Sequence, residues 1–334
     1  MTNRERVLAT LRHQPPDRIP YHVSFTQQAR ARFQAYAGAD GLKSLRNCLA
    51  MYELEPANGW RETAPDIWQD QFGVQWNRSV DKDIGVVGNT CVTPENVRTY
   101  HFPDPDDPSR YTALKNALAA GKDDRFIVGC IGFSLFERAW TLAGMENVLQ
   151  AMLIDPGFVH TLLDRILEHN LRVIENACRL EIDAMYFGDD WGQQTGLIMG
   201  PQLWRQFIYP RVRRMYQAAK AQGKAVCIHS CGKVQELFPA LIEAGLDIFN
   251  PFQPEVMDPF TMKKQFGRDL AFFGGISTQR LLPFGTVAQV KKEVRELLKV
   301  VGRQGGYIAA PAHSIPGDAK PENIAAMLDV LQNQ

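Results

Sequence analysis

The chain has 334 residues, 45% hydrophobic and 22% charged, an ordinary globular balance. Its 37 Lys and Arg offset 37 Asp and Glu, and no basic tract or acidic tail stands out, which argues against nucleic acid or a charged membrane surface as a partner. The amino terminus lacks an apolar run fit for a secretory signal, no segment offers about 18 uninterrupted apolar residues, and the six cysteines are scattered. These features predict a cytoplasmic protein with reduced thiols and no membrane span.

Thr2 to Arg12 reads as a short helix with "RVLATL" as its apolar stripe. "QPPDRIP" ends it, since proline removes donors and restricts the residue before it. "IPYHVSF" (Ile19 to Phe25) reads as a strand, and residues 52–107 read as irregular excursions built onto a scaffold. Beyond them a regular rhythm sets in. "RYTALKNALAA" is helical, Phe126 to Gly132 has the length of a strand, and "PGFVHTLLDRILEHNLRVIENACRL" is a long amphipathic helix with Pro156 in its first turn. "DAMYFGDDWG" is a strand running into carboxylates, and "PQLWRQFIYPRVRRMYQAAKAQG" a helix kinked at Pro210. Strands "AVCIHSC", "DIFNPFQ", "LAFFGGIS" and "GYIAAPAHS" then alternate with helices.

Alternation of this kind implies a parallel sheet covered by helices. About seven strand candidates emerge, and residues 52–89 are a place for one more, close to the eight of a closed (β/α)8 barrel. The chain therefore reads as an α/β protein with one barrel domain, residues 1–334, carrying an irregular insertion region at 52–107. A doubly wound open sheet is the rival, but neither G-x-G-x-x-G nor a P-loop occurs.

Reactive groups of a parallel barrel gather at the carboxyl ends of its strands. Glu137, Asp189, Asp190, His229, Cys231, Asn250, Gln253, Ser277 and His313 all fall there. His229 and Cys231 are an i, i+2 pair, so an extended strand points both to one face. Imidazole and thiolate on one face suit Zn2+, and equally suit a hydrogen-bonded core histidine beside a buried cysteine. His313 is the best third ligand, and three ligands with an open fourth position make a catalytic rather than a structural site. Adjacent Asp189 and Asp190 face opposite ways on a strand. Asp189 is favoured as the one that enters the barrel mouth to handle a proton or tune a ligand. Glu137 supports a helix start and is also a possible fourth ligand. Gly275 and Ser277 of "GGIST", with Asn250 and Gln253 around "NPFQ", are read as substrate-binding.

Together these residues resemble the uroporphyrinogen decarboxylase superfamily, in particular its branch of methylcobalamin:coenzyme M methyltransferases. "NRERVLATLRHQPPDRIPYHVSF", "DAMYFGDDWGQQTGLIMGPQLWRQFIYPRVRRM", "GKAVCIHSCGKVQELFPALIEAGLDIFNPFQP", "FFGGISTQRLLPFGT" and "GGYIAAPAHSIPGDAKPENI" carry the resemblance. It implies a distorted (β/α)8 barrel and zinc bound through H-x-C on one strand and a cysteine on a later one. His229 and Cys231 match the first part, while His313 stands where the later cysteine belongs, which leaves one thiolate fewer. A methyl donor or acceptor other than a thiol, such as a methyl ether, then gains ground. The resemblance implies a zinc-dependent methyltransferase using methylcobalamin or another corrinoid as co-substrate, with a separate corrinoid protein as partner, and a homodimer as one possible assembly. Metal-free decarboxylation of a tetrapyrrole is the alternative, although "TQQARARF" does not reproduce the Arg-rich motif of the decarboxylases. A barrel that binds without turnover is the third.

Overall fold

The computed structural model describes residues 1–38, 41–43, 45–121 and 124–334. Seven strands form one all-parallel sheet in chain order: β1 (Leu49–Glu53), β2 (Phe126–Ile131), β3 (Ala184–Gly188), β4 (Ala225–His229), β5 (Ile248–Phe252), β6 (Ala271–Ile276) and β7 (Tyr307–Pro311). The sheet curls until β7 approaches β1, and the extended segment 20–25 fills the eighth place. Ala309 N donates to Pro20 O at 2.9 Å and His22 N to Ala309 O at 3.0 Å, while on the other side Cys48 N donates to Tyr21 O at 2.9 Å. Only Tyr21 and Phe25 form ladder bridges, so the predicted first strand is a seam. Pro20 has no donor, and Asn47 takes both backbone groups of Val23, its Oδ1 accepting at 2.9 Å and its Nδ2 donating at 3.0 Å.

Alternation along the strands builds the interior. Leu49, Phe126, Val128, Cys130, Ala184, Cys227, Ile248, Ala271, Phe273, Ile308 and Ala310 pack against one another there. The helix Asn3–Leu11 plugs the amino-terminal end by adding Val7, Leu8 and Leu11 to that cluster. A capping box between Thr2 and Glu5 starts this helix. Each aliphatic side chain so buried contributes about 1.5–3 kcal/mol. Outward-facing residues pack under long helices, Pro156–Cys178 and Val287–Val300 among them.

Two local departures from the sequence reading have physical causes. The helix expected from Pro201 onward is Gly200–Leu203, then a wide π turn at Trp204–Ile208, then Tyr209–Ala221, because Pro210 cannot donate into the preceding turn. Residues 52–107 hold an antiparallel sheet of four short strands, Arg61–Ala64, Ile67–Gln69, Gln75–Asn77 and Val86–Val87. Asp70 ties that sheet to the barrel. Its carboxylate accepts from Phe72 N, Val74 N and Trp76 Nε1, and pairs with Arg138 Nη1 at 2.7 Å.

Candidate metal centre

All seven strands end at one rim. Along β4 the inward parity of Ala225 and Cys227 passes to His229 at the strand's last position. Cys231 returns to the same side, its Sγ 3.4 Å from His229 Nε2. His313 lies just past β7, its ring 5.5 Å from that of His229 at an interplanar angle of 73°. One donor atom from each of the three lies within 4.8 Å of the others. Tetrahedral zinc, with bonds of about 2.0–2.3 Å to nitrogen and sulfur, needs donors about 3.3–3.8 Å apart. The His229–Cys231 pair already has that spacing.

The hydrogen bonds around His229 fix its proton. Asn250, its register partner on β5, donates through Nδ2 to Phe273 O at 3.0 Å, which orients the amide. Asn250 Oδ1 therefore faces His229 Nδ1, 2.6 Å away, and also accepts from the Tyr186 hydroxyl at 3.0 Å. An acceptor at that spot requires the proton on Nδ1 and leaves the Nε2 lone pair directed at Cys231 and His313. Burial, then the neighbouring His229, pushes the His313 imidazole below its ordinary pKa, keeping it neutral as a ligand must be. Burial, then Asp190 and Glu137, pushes the Cys231 thiol up. A cation among these groups reverses that preference and favours the thiolate.

The adjacent carboxylates divide their work opposite to the sequence expectation. Asp190 shares the inward parity of Ala184 and Tyr186. It accepts from Cys231 N at 2.7 Å, and its Oδ1 lies 3.9 Å from His229 Nε2. Asp189, with the parity of Met185 and Phe187, is fully buried and turned away. Its oxygens accept from Glu137 N at 2.8 Å, Leu135 N at 3.2 Å and Trp191 Nε1 at 2.6 Å, so it anchors the start of the helix Phe136–Ala143. Burial lifts its pKa to about 6 against those donors. Glu137, half-buried in that helix's first turn, is held well above the usual carboxylate range by burial, then by Asp190 and Asp189.

The remaining residues read as substrate-binding make the following contacts. Gln253 Oε1 accepts from Gly232 N at 3.1 Å, pinning the turn after Cys231. Gly232 has φ +86°, and a Cβ there would lie 2.4 Å from the carbonyl carbon of Gly192, so the β3 and β4 loops touch backbone to backbone. Ser277, 2% exposed, donates to Glu255 and accepts from Arg280 N and Leu281 N, both at 3.0 Å. A Cβ on Gly275 would meet the Tyr307 hydroxyl at 2.8 Å. Neither of these two joins the trio of candidate ligands. Sequence reasoning missed three residues. Tyr186 supports Asn250, and buried Ser230 accepts from Trp191 N at 3.0 Å. Glu53 ends β1 with its side chain exposed at the rim, yet the protein packed around it, then Glu55, raises its pKa to about 7. A charge closing "LAMYE" was its signal.

The uroporphyrinogen decarboxylase family model matches residues 69–334, most of the chain. The chain belongs to that family. The match takes in β2 to β7 and all three candidate ligands. Among curated relatives of the family, the uroporphyrinogen decarboxylase of Edwardsiella ictaluri is 22% identical over 253 residues, 71% of this chain and 67% of that protein. The uroporphyrinogen decarboxylase of Aliivibrio salmonicida is 23% identical over 246 residues, 69% of this chain and 66% of that one. The chain thus spans about two thirds of the length of these relatives. A solved structure, a methyltransferase from Methanosarcina mazei, superposes with a TM-score of 0.71 over 100% of this chain and 99% of that one at 17% identity. This likeness establishes the distorted barrel that the sequence rhythm predicts.

Proposed function

We propose that this member of the uroporphyrinogen decarboxylase family is a zinc-dependent methyltransferase that works with a corrinoid. It moves a methyl group between a cobalamin cofactor or corrinoid protein and a small-molecule donor or acceptor. The observation that carries the reading is the convergence of His229, Cys231 and His313, with Asn250 holding the His229 proton on the far nitrogen. These three residues would hold the zinc, which would supply Lewis acidity to a group bound beside them.

The chain's own groups do the rest. Asn250 and Tyr186 hold the His229 ring in its binding tautomer. Asp190 fixes the Cys231 backbone and places its carboxyl group beside the three candidate ligands. Glu137 retains its proton further toward neutral pH than an ordinary glutamate and offers it to a group bound at the rim. The rim is the open end of the barrel, so the corrinoid, free or carried by a separate protein, approaches there. The full-length likeness to the Methanosarcina mazei methyltransferase supports this reading.

The names of the curated relatives favour a second reading, metal-free decarboxylation of a tetrapyrrole. One experiment separates the two. The purified protein is incubated with methylcobalamin or cob(I)alamin and a panel of thiols and methoxyarenes while the cobalt absorbance is followed. A parallel sample receives uroporphyrinogen and is read by porphyrin fluorescence. The proposal expects a cobalt change that the Cys231→Ala variant does not give. Porphyrin formation without any cobalt change supports the decarboxylase instead, and tight corrinoid binding without turnover supports a binding protein.

A further inference from the structure

We infer that the opposite, amino-terminal end of the barrel carries a binding site for a small multivalent oxyanion, a phosphate or a polycarboxylate. The seam at residues 20–25 borders a cavity there through Tyr21. A full eighth strand would close the wall, whereas this segment touches its neighbours through scattered bridges. Below it a cleft of about 680 Å3 opens between residues 18–21, the approaches to β1 and β2, and the end of the carboxyl-terminal helix. That volume lies within the range of about 300–1,000 Å3 common for small-molecule sites.

The charge of the lining is one-sided. Arg6, Arg18, Arg46 and Arg125 border the cleft, against one acidic side chain, Asp124. Arg6 is committed to Asp17, with contacts of 2.7 and 3.0 Å, and Asp124 accepts from Asn3 at 3.0 and 3.3 Å. Among the described residues, Arg18 and Arg46 bond through their backbone N–H groups, to Asp17 and to the Tyr21 hydroxyl, leaving both guanidinium forks open. The Arg18 charge acts over the cleft floor, since it draws down the pKa of both Tyr21 and Cys48 against the upward push of burial. Guanidinium groups gathered round one opening repel one another, and an oxyanion relieves that repulsion. Their planar forks match two oxygens of a carboxylate or phosphate. The site uses no residue of the metal centre, which lies at the other end of the strands.

The test is calorimetric titration of the full chain with inorganic phosphate and, separately, with succinate, alongside zinc analysis. Saturable binding by either anion is expected, and the preferred one identifies the source. The double variant Arg18→Gln/Arg46→Gln should weaken binding at least tenfold, while Arg303→Gln, an exposed residue outside the cleft, leaves it unchanged. Asp124→Asn, which removes the opposing charge, should tighten it. Metal content should not change in any variant. Failure of both anions to saturate, or binding that the double variant leaves intact, overturns the inference.

Discussion

The Nδ1 of His229 lies 2.6 Å from the Oδ1 of Asn250, and that contact sets which imidazole nitrogen faces the rim. Because the Asn250 amide nitrogen is already committed to Phe273 O, the oxygen cannot be exchanged for a donor without losing a buried bond. Asn250→Leu removes the acceptor shared by His229 and Tyr186. Metal affinity should fall about 10- to 100-fold, measured by competition with a chromophoric chelator. Unchanged affinity would mean that the asparagine does not govern the tautomer.

Gly232 governs the turn that presents Cys231. Its φ of +86° and its approach to Gly192 leave no room for a Cβ. Gly232→Ala should destabilise the fold by more than about 1 kcal/mol and weaken metal retention together. Urea denaturation and metal analysis on the same preparation check both, and a stable variant with full metal content would contradict the packing argument.

Asp70 and Arg138 form an ion pair whose side chains are 2% and 3% exposed, at the junction of barrel and antiparallel sheet. Asp70→Asn leaves the guanidinium buried without its counter-charge, which costs about 3–5 kcal/mol. The loss should appear as a lower urea midpoint and as faster amide exchange in residues 61–87. A midpoint equal to wild type would show the pair to be dispensable.

Glu53 predicts a pH dependence. Its folded pKa, raised to about 7, lies above that of the unfolded chain, near the ordinary value of about 4.3. Between those values the folded state binds more protons, so stability falls as pH rises and levels off above the upper one. Because Glu53 is exposed, solvent screens part of this, and the direction is the prediction. Glu53→Gln should be more favourable relative to wild type at pH 8 than at pH 4.5 in urea titrations. A constant difference, or one of opposite sign, would refute the assignment.

Much of this molecule is legible from its residues. The strands at "FIVGCIG", "AVCIHSC" and "GYIAAPAHS" are short apolar runs between clear helices, and they form within three residues of their expected ends. His229 and Cys231 are readable because period-two alternation survives to the end of β4. The same rule applied along "AMYFGDD" puts Asp190, not Asp189, on the face of Tyr186. Asp189 carries the opposite parity, that of Met185 and Phe187. "LAMYE" straddles the start of the excursion read as irregular: Leu49 to Met51 precede residue 52, while Tyr52 and Glu53 fall within it, so only part of β1 lies where residues 52–89 are a place for one more strand. The strands of that excursion are two to four residues long, too short for alternation to register. The predicted first strand, Ile19 to Phe25, is a seam for a different reason: Asn47 side-chain bonds replace part of the ladder that its β-rich residues suggest.

The most direct measurement is elemental analysis of protein purified without added metal or chelator, wild type beside Cys231→Ala and His313→Ala. The account predicts about one zinc per chain in wild type and substoichiometric zinc in both variants, each still folded by circular dichroism. Wild-type protein that cannot be loaded with zinc, or a His313→Ala variant that retains a full equivalent, would contradict it.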